Sequence, residues 1–306
     1  MFEEYPIIYK SLCKTQRVLN SYSDVTVSIS GGSDSDIMLS LIDLLKHDLA
    51  PTIHYMYFDT GLEYSATKEH IKYLSDRYKI DIETFKASTP IPTATKKHGL
   101  PFLSKRISNY IDRLQRHGFD WSSDDFNTLY KKYPNCKAAL RWFTNEFGEN
   151  SRYNIQYTKG LRKYILDNPP YFKISDMCCQ CAKKDTAKLA YKKYDTELSI
   201  QGLRKAEGGA RNSLNNCWNK EKSVFYPILW YRNDEKVIIE KSLGIKHSKC
   251  YSEYGLKRTG CVGCPFGQHY ENELQIVKQY EPKLYKACMG VFGQSYEYTK
   301  KFNESR

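Results

Sequence analysis

Glycine and proline are sparse in this chain of 306 residues, at 17 and 11, too few for a collagen-like repeat or a linker-dominated polymer. No stretch approaches the roughly 20 apolar residues that a membrane-spanning helix needs. The opening Met1-Phe-Glu-Glu-Tyr5 has no basic segment followed by an apolar run, so a secretory leader is not expected. Internal repeats and low-complexity tracts are missing too, which removes solenoids. Acids are outnumbered: 35 Asp and Glu stand against 47 Lys and Arg, a net charge of +12. What remains is 41% hydrophobic and 27% charged, a globular composition long enough for one large α/β domain or a core carrying an insertion. A cytoplasmic location with no membrane partner is the expectation.

Periodicity orders the chain. Residues to about Ser23 have helical spacing. Val25–Ser30 is a β-branched run that reads as a strand, Gly31-Gly32 ends it, and Ile37–Leu45 is the apolar side of a helix. Thr52–Phe58 reads as a second strand, Thr67–Tyr78 as a helix and Lys79–Lys86 as a third strand. This alternation implies a parallel sheet with flanking helices and right-handed crossovers, a Rossmann-like α/β core. From Pro90 to Tyr171 it stops. Tyr-, Lys- and Arg-rich helical stretches take over at Ser108–His117, Asp124–Phe147 and Gln156–Leu166. The expected organisation is 1–89 as the first part of the core, 90–171 as a helical insertion, 172–270 as the second part of the core with a cysteine cluster, and 271–306 as a helical tail. Within 172–270 a helix follows Cys181, a strand spans Glu197–Leu203, and Asn233 caps a helix through Asp234–Leu243. After Pro265 the pattern is helical.

Charge and thiols are unevenly placed. Lys86–His117 holds seven Lys and Arg against the single acid Asp112, half of the chain's positive excess. A solvated basic face, a surface for an acidic protein and a contact for nucleic-acid phosphates all fit such a run. Tyr110, Tyr130, Tyr133 and Tyr153 nearby would suit stacking on bases or a tyrosine-rich core. Of ten cysteines, five fall in two clusters, Cys178-Cys179-Gln-Cys181 and Cys261-Val-Gly-Cys264. In a reducing compartment such clusters point to a metal centre, zinc or iron–sulfur, more than to disulfides.

Ser30-Gly-Gly-Ser-Asp-Ser35 lies between a strand and a helix. Consecutive glycines let backbone N–H groups converge on an anion, and the helix adds its positive end. Ser30, Ser33 and Ser35 can donate to phosphate oxygens, and Asp34 can hold Mg²⁺ or simply cap the helix. The spacing of a Walker loop is absent.

The hexapeptide resembles the SGG-x-D-S loop of the PP-loop ATP pyrophosphatases, also termed adenine nucleotide alpha hydrolase-like. Tyr57-Phe-Asp-Thr-Gly61 is similar to the FxDTG segment of their phosphoadenosine phosphosulfate reductase branch, which carries Asp59 and Gly61 over to the nucleotide site. Adjacent cysteines, 81 residues, then Cys-x-x-Cys resembles the set by which adenylylsulfate reductases and sulfur-transfer relatives, including DNA phosphorothioation proteins, hold a 4Fe–4S cluster. The resemblance implies Cys178, Cys179, Cys261 and Cys264 as ligands joining the two halves of the core, with Cys181 the alternative. It places Lys183 beside the cluster. Gly202-Leu-Arg-Lys-Ala-Glu-Gly-Gly-Ala-Arg211 is similar to the family's G-[IL]-R-x-x-[ED]-S-x-x-R stretch, with Gly208 in place of Ser. Arg204 and Arg211 are there expected to bind phosphate oxygens. The likeness covers about 24–86 and 176–267.

Two departures shift the expected activity. The reductases' C-terminal Glu-Cys-Gly-[Leu/Ile]-His is missing, and Cys288 in Lys-Ala-Cys-Met-Gly lacks its neighbours. The phosphate loop also keeps its full ATP-pyrophosphatase form. The leading expectation is an enzyme that splits ATP with Mg²⁺ to AMP and pyrophosphate, adenylating a substrate for sulfur transfer, with nucleic acid as acceptor and a sulfur donor protein as partner. Asp34, Lys183, Arg204 and Arg211 would be its catalytic residues. The alternatives are a sulfonucleotide reductase releasing sulfite, and a non-catalytic iron–sulfur regulator binding nucleic acid or protein.

Overall fold

The computed structural model describes residues 5–306 apart from Gln268, and only the backbone of Ala210. Met1–Glu4, part of the expected opening segment, lie outside the described residues.

In chain order the elements are α1 (Pro6–Leu19), β1 (Asp24–Ile29), α2 (Ser33–Leu44), β2 (Thr52–Asp59), α3 (Ser65–Tyr78) and β3 (Ile82–Lys86). Five helices follow: α4 (Ile91–His98), α5 (Lys105–Arg116), α6 (Phe126–Lys132), α7 (Lys137–Phe143) and α8 (Leu161–Asp167). A single turn, α9 (Met177–Cys179), leads into a π-helical segment, Gln180–Asp185, and then α10 (Thr186–Tyr194). Next come β4 (Leu198–Gln201), β5 (Trp218–Asn219), β6 (Val224–Phe225), α11 (Asn233–Ser242), α12 (Lys249–Ser252), α13 (Tyr270–Tyr280) and α14 (Pro282–Glu304).

The chain divides into two compact units, 1–87 with 184–260, and 88–183 with 261–306. The first is an α/β unit. Its six-stranded sheet has the order β3-β2-β1-β4-β6-β5, parallel throughout except for the β5–β6 pair. The central strand β1 buries Val25, Thr26, Val27 and Ile29, as a strand covered on both faces should. Helix α2 is buried from Ser35 to Ile42. Its Met38, Leu39 and Ile42 pack on the sheet, while Ile37 and Leu41 pack with Ile8 of α1 and Ile239 of α11. That double burial fixes the helix whose N-terminus carries the phosphate loop.

The second unit is helical. One core holds Ile111 and Leu114 of α5, Trp142 and Phe143 of α7, and Tyr298 and Phe302 of α14. The cysteine-bearing segments 177–183 and 261–264, and the final helix, therefore share a unit with the 90–171 helices.

Three local expectations are corrected. The helix expected over Asp124–Phe147 breaks at Lys132, because Pro134 has no N–H to donate and disfavours a helical Tyr133. That expected over Gln156–Leu166 starts only at Leu161, after Gly160 at φ 76°. Asn233 lies inside α11 rather than capping it; the cap is Arg232, whose backbone N–H donates to Glu235 at 2.8 Å.

Candidate functional site

The phosphate loop is built by close packing as much as by hydrogen bonds. Gly31 has φ 67°, and a Cβ there would lie 2.8 Å from Thr67 Cγ2. Gly202, just past β4, passes so near α2 that a Cβ would stand 2.8 Å from the Asp34 carbonyl oxygen. Two of the loop's amides are engaged within the unit: Gly32 N–H donates to Ser30 Oγ at 3.2 Å and Ser33 N–H to the Tyr251 hydroxyl at 3.2 Å. Ser35 Oγ donates to the Gly32 carbonyl at 2.8 Å and receives Ser30 Oγ at 3.2 Å. Tyr251 also lies 3.4 Å from Thr259 Oγ1.

Asp34, in the first turn of α2, is held by two cations. Its Oδ1 accepts from Arg204 Nε at 2.9 Å and Lys236 Nζ at 2.7 Å. Arg204, only 5% exposed, donates its Nη1 to Asn233 at 3.0 Å and the Tyr231 carbonyl at 3.3 Å. Much of its guanidinium fork is thus spent on positioning Asp34. Lys236 also donates to Ser33 Oγ at 2.5 Å. Arg211 pairs with Glu207 at 3.0 Å.

Two residues further along α2 lies Asp36, fully buried. Its Oδ2 meets His70 Nε2 at 3.0 Å and His247 Nδ1 at 2.7 Å, and Oδ1 has no partner among the described residues. The other imidazole nitrogen of His247 meets Glu240 at 2.9 Å. Burial alone would lower the pKa of His247, but the hydrogen bonds and charges of Asp36 and Glu240 outweigh it and raise it to about 9.

Asp59 ends β2. It accepts from Gly61 N–H at 2.9 Å and Lys68 Nζ at 2.8 Å, and Gly61 has φ 84°. Burial works against its ionisation, but Lys68, the Gly61 amide and the charge of Lys86 together hold its carboxyl below the usual range.

The cysteines named by the sequence all lie in the helical unit. Cys178 and Cys181 are buried with Ala94 of α4, and Cys179, Cys261 and Cys264 are half-buried. Cys178 is held protonated by its hydrogen bond with Cys179, by burial, and by the charges of Cys179, Cys264 and Cys261. Cys179 moves the other way, down to about 6, through that hydrogen bond and the cations Lys105 and Lys183. Burial, then Cys261, pushes the Cys264 thiol up to about 12. Clustered thiols whose ionisation is coupled, Cys178 and Cys264 raised and Cys179 lowered beside two cations, suit a positively charged thiophilic centre that replaces their protons. Cys178, Cys179, Cys261 and Cys264 would hold it. Among the described residues, no three His, Cys, Asp or Glu side chains are grouped as ligands of one ion. Cys288, by contrast, is fully buried in α14; its thiol donates to the Val262 carbonyl at 3.5 Å, and burial pushes its pKa up to about 12.

Sequence reasoning missed Lys236, Tyr251, Gly202 and the Asp36–His70–His247 cluster. Gly202 fell inside the Gly202–Arg211 stretch singled out above, so its neighbourhood was legible. Lys236 had no local signal.

Residues 24–115 match the family of the phosphoadenosine phosphosulfate reductase domain. Over that span, 92 of the 306 residues, the chain is similar to that family. Among curated proteins it is similar to an uncharacterized 37.8 kDa protein in the gpa 5′ region of Escherichia phage 186, 24% identical over 259 residues. That match covers 78% of this chain and 66% of the phage protein, so the chain spans just under two thirds of its relative's length. Among solved structures it is similar to a phosphoadenylyl-sulfate reductase from Candida auris, with a TM-score of 0.45, 10% identity, and coverage of 82% of this chain and 87% of that one. It is also similar to the U34-tRNA thiolase NcsA of Methanococcus maripaludis, determined with its 4Fe–4S cluster. There the TM-score is 0.41, with 12% identity and coverage of 97% and 79%. Among the described residues no helix is long and apolar enough to cross a membrane.

Proposed function

We propose that this chain binds ATP–Mg²⁺ on the Ser30–Ser35 loop, splits it to AMP and pyrophosphate, and so adenylates an acceptor for sulfur transfer, with nucleic acid as the acceptor class. The carrying observation is the loop itself, a glycine-rich turn at the N-terminus of α2 with Asp34 already held by Arg204 and Lys236. An acceptor oxygen attacks the α-phosphorus and the α–β bridge breaks. Pyrophosphate departs toward the positive end of α2, with Lys236 and Ser33 beside it. Asp34 anchors Mg²⁺, and Asp59 and Gly61 border the nucleotide. A sulfur nucleophile from a donor protein then displaces AMP from the acceptor carbon.

Cys178, Cys179, Cys261 and Cys264 would hold a 4Fe–4S cluster, which supplies iron with affinity for sulfur; zinc would use the same thiolates. Lys105 and Lys183 keep Cys179 in its thiolate form. Burial of Cys288 favours this reading over a sulfonucleotide reductase, whose thiol nucleophile must reach the substrate sulfur.

The test is anaerobic purification followed by assay with ATP and mixed RNA or DNA. Bound iron and sulfide in equal amounts, with AMP and pyrophosphate released, is the expected result. Sulfite release from a sulfonucleotide, or intact ATP under every condition, would sink the proposal.

A further inference from the structure

The helical unit has a cleft of about 850 Å³ lined by α4, α5 and the 170–173 segment, within the size range of small-molecule sites. Three fixed cations, Lys97, Arg116 and Lys173, line it against one carboxylate, Asp112. Arg116 is tied to Asp112 at 2.8 Å, yet its side chain is 63% exposed, so outward-facing N–H groups remain. Gln115 fixes the shape: its side-chain amide donates to the Phe172 carbonyl at 2.8 Å and accepts from Ile174 N–H at 2.8 Å.

Aromatic rings form the rest of the wall. Tyr171 also lines the cleft and is 62% exposed, far from a core tyrosine. It is braced edge-on by Phe172 with centroids 5.1 Å apart. Trp121 sits at φ 53°, where a bulky side chain is rarely found. Buried Phe119 meets it edge-on at 5.3 Å. Trp121 is half-buried and packs against the unit's core, as do Tyr110, Tyr130 and Tyr133, whereas Tyr171 and Tyr153 are exposed. Rigid aromatic faces next to cations are the recognition chemistry of an unstacked base with its phosphates. Met177, which also lines the cleft, immediately precedes Cys178, and α4 carries both Lys97 and the Ala94 that packs on Cys178.

We propose that this cleft binds an unpaired nucleotide of a single-stranded nucleic acid, the base against Tyr171 and Trp121 and the flanking phosphates on Lys97, Arg116 and Lys173. The inference rests on the reading of nucleic acid as acceptor and adds where the strand is held.

The test uses the full-length protein and a fluorescent oligothymidylate, read by anisotropy across a salt series. Three phosphate contacts give a slope of log K on log salt of about −2 for a single strand. Tyr171→Ala should weaken binding about five- to hundredfold and Tyr171→Phe should restore it, as stacking requires. Paired Lys97→Glu and Lys173→Glu should weaken binding at least tenfold and flatten the slope. An oligonucleotide carrying 5-iodouracil should crosslink to Tyr171 or Trp121. If the parent and all these variants bind alike, or crosslinks map elsewhere, the cleft is wrong while the nucleic-acid reading survives. If ATP is split but no single strand binds at low salt, and polyglutamate binds in its place, the nucleic-acid reading fails and takes this inference with it.

Discussion

In the α/β unit the anionic side chains around the phosphate loop meet partners within the unit: Asp34 has Arg204 and Lys236, Asp36 has His70 and His247, and Asp59 has Lys68. In the helical unit, neighbouring thiols and burial keep Cys178 and Cys264 protonated, and a cleft gathers three cations around one carboxylate. The first arrangement is electrostatically complete before any ligand arrives, so its ligand must compete for Lys236 and Ser33. The second is completed by what it binds, a thiophilic cation in one place and an anion in the other. Preorganisation and affinity are thus separated along the chain.

The largest effect that sharpens this contrast is expected at the thiols. Cys178→Ser, Cys179→Ser, Cys261→Ser and Cys264→Ser should each strip nearly all iron, whereas Cys181→Ser keeps it; iron analysis on anaerobically purified protein decides. Loss of iron from Cys181→Ser with retention in Cys178→Ser would reverse the ligand assignment.

Next comes the loop. Asp34→Ala leaves Arg204 buried without its carboxylate, and we expect a loss of about 2–4 kcal/mol in denaturant unfolding together with lost ATP–Mg²⁺ binding. Gly202→Ala pushes a methyl against the Asp34 carbonyl and should cost about 1–3 kcal/mol and weaken nucleotide binding. Parent-like calorimetric binding by both variants would break the claim that the loop is set by its neighbours.

The smallest effect is titration of His247. Its pKa is raised in the folded state, so its contribution is fully present below about 6.5 and is lost as pH rises through about 9. The parent should lose about 1–2 kcal/mol more than His247→Gln across that window, after allowance for solvent screening. Parallel stability curves would show that Asp36 and Glu240 do not hold the imidazolium.

Much of the α/β unit was legible because its signals are local. The β-branched run before Gly31-Gly32, the apolar face of α2 and the acid ending β2 all lie within a few residues of what they build. Lys236 and Tyr251 were not, since they reach the loop across 202 and 218 positions of sequence. Asp36 carried no local signal, because its two histidines arrive from α3 and from beyond α11. In the helical unit, Tyr and Lys enrichment showed helices but hid their breaks at Pro134 and Gly160. The cysteine spacing showed the thiols but not the widened turn that follows them.

That turn, Gln180–Asp185, has a consequence for insertions and deletions. In an α-helix a residue four places on stands about 40° round from its predecessor. The wider π turn, closed by i→i+5 hydrogen bonds, carries an extra residue, and within it the charge of Lys183 acts on Cys179. Deleting one residue between them and restoring α-helical phase would leave the lysine three places on, about 60° off the Cys179 line. The interval works as a spacer whose length is the conserved quantity to seek in relatives, even where its residues differ.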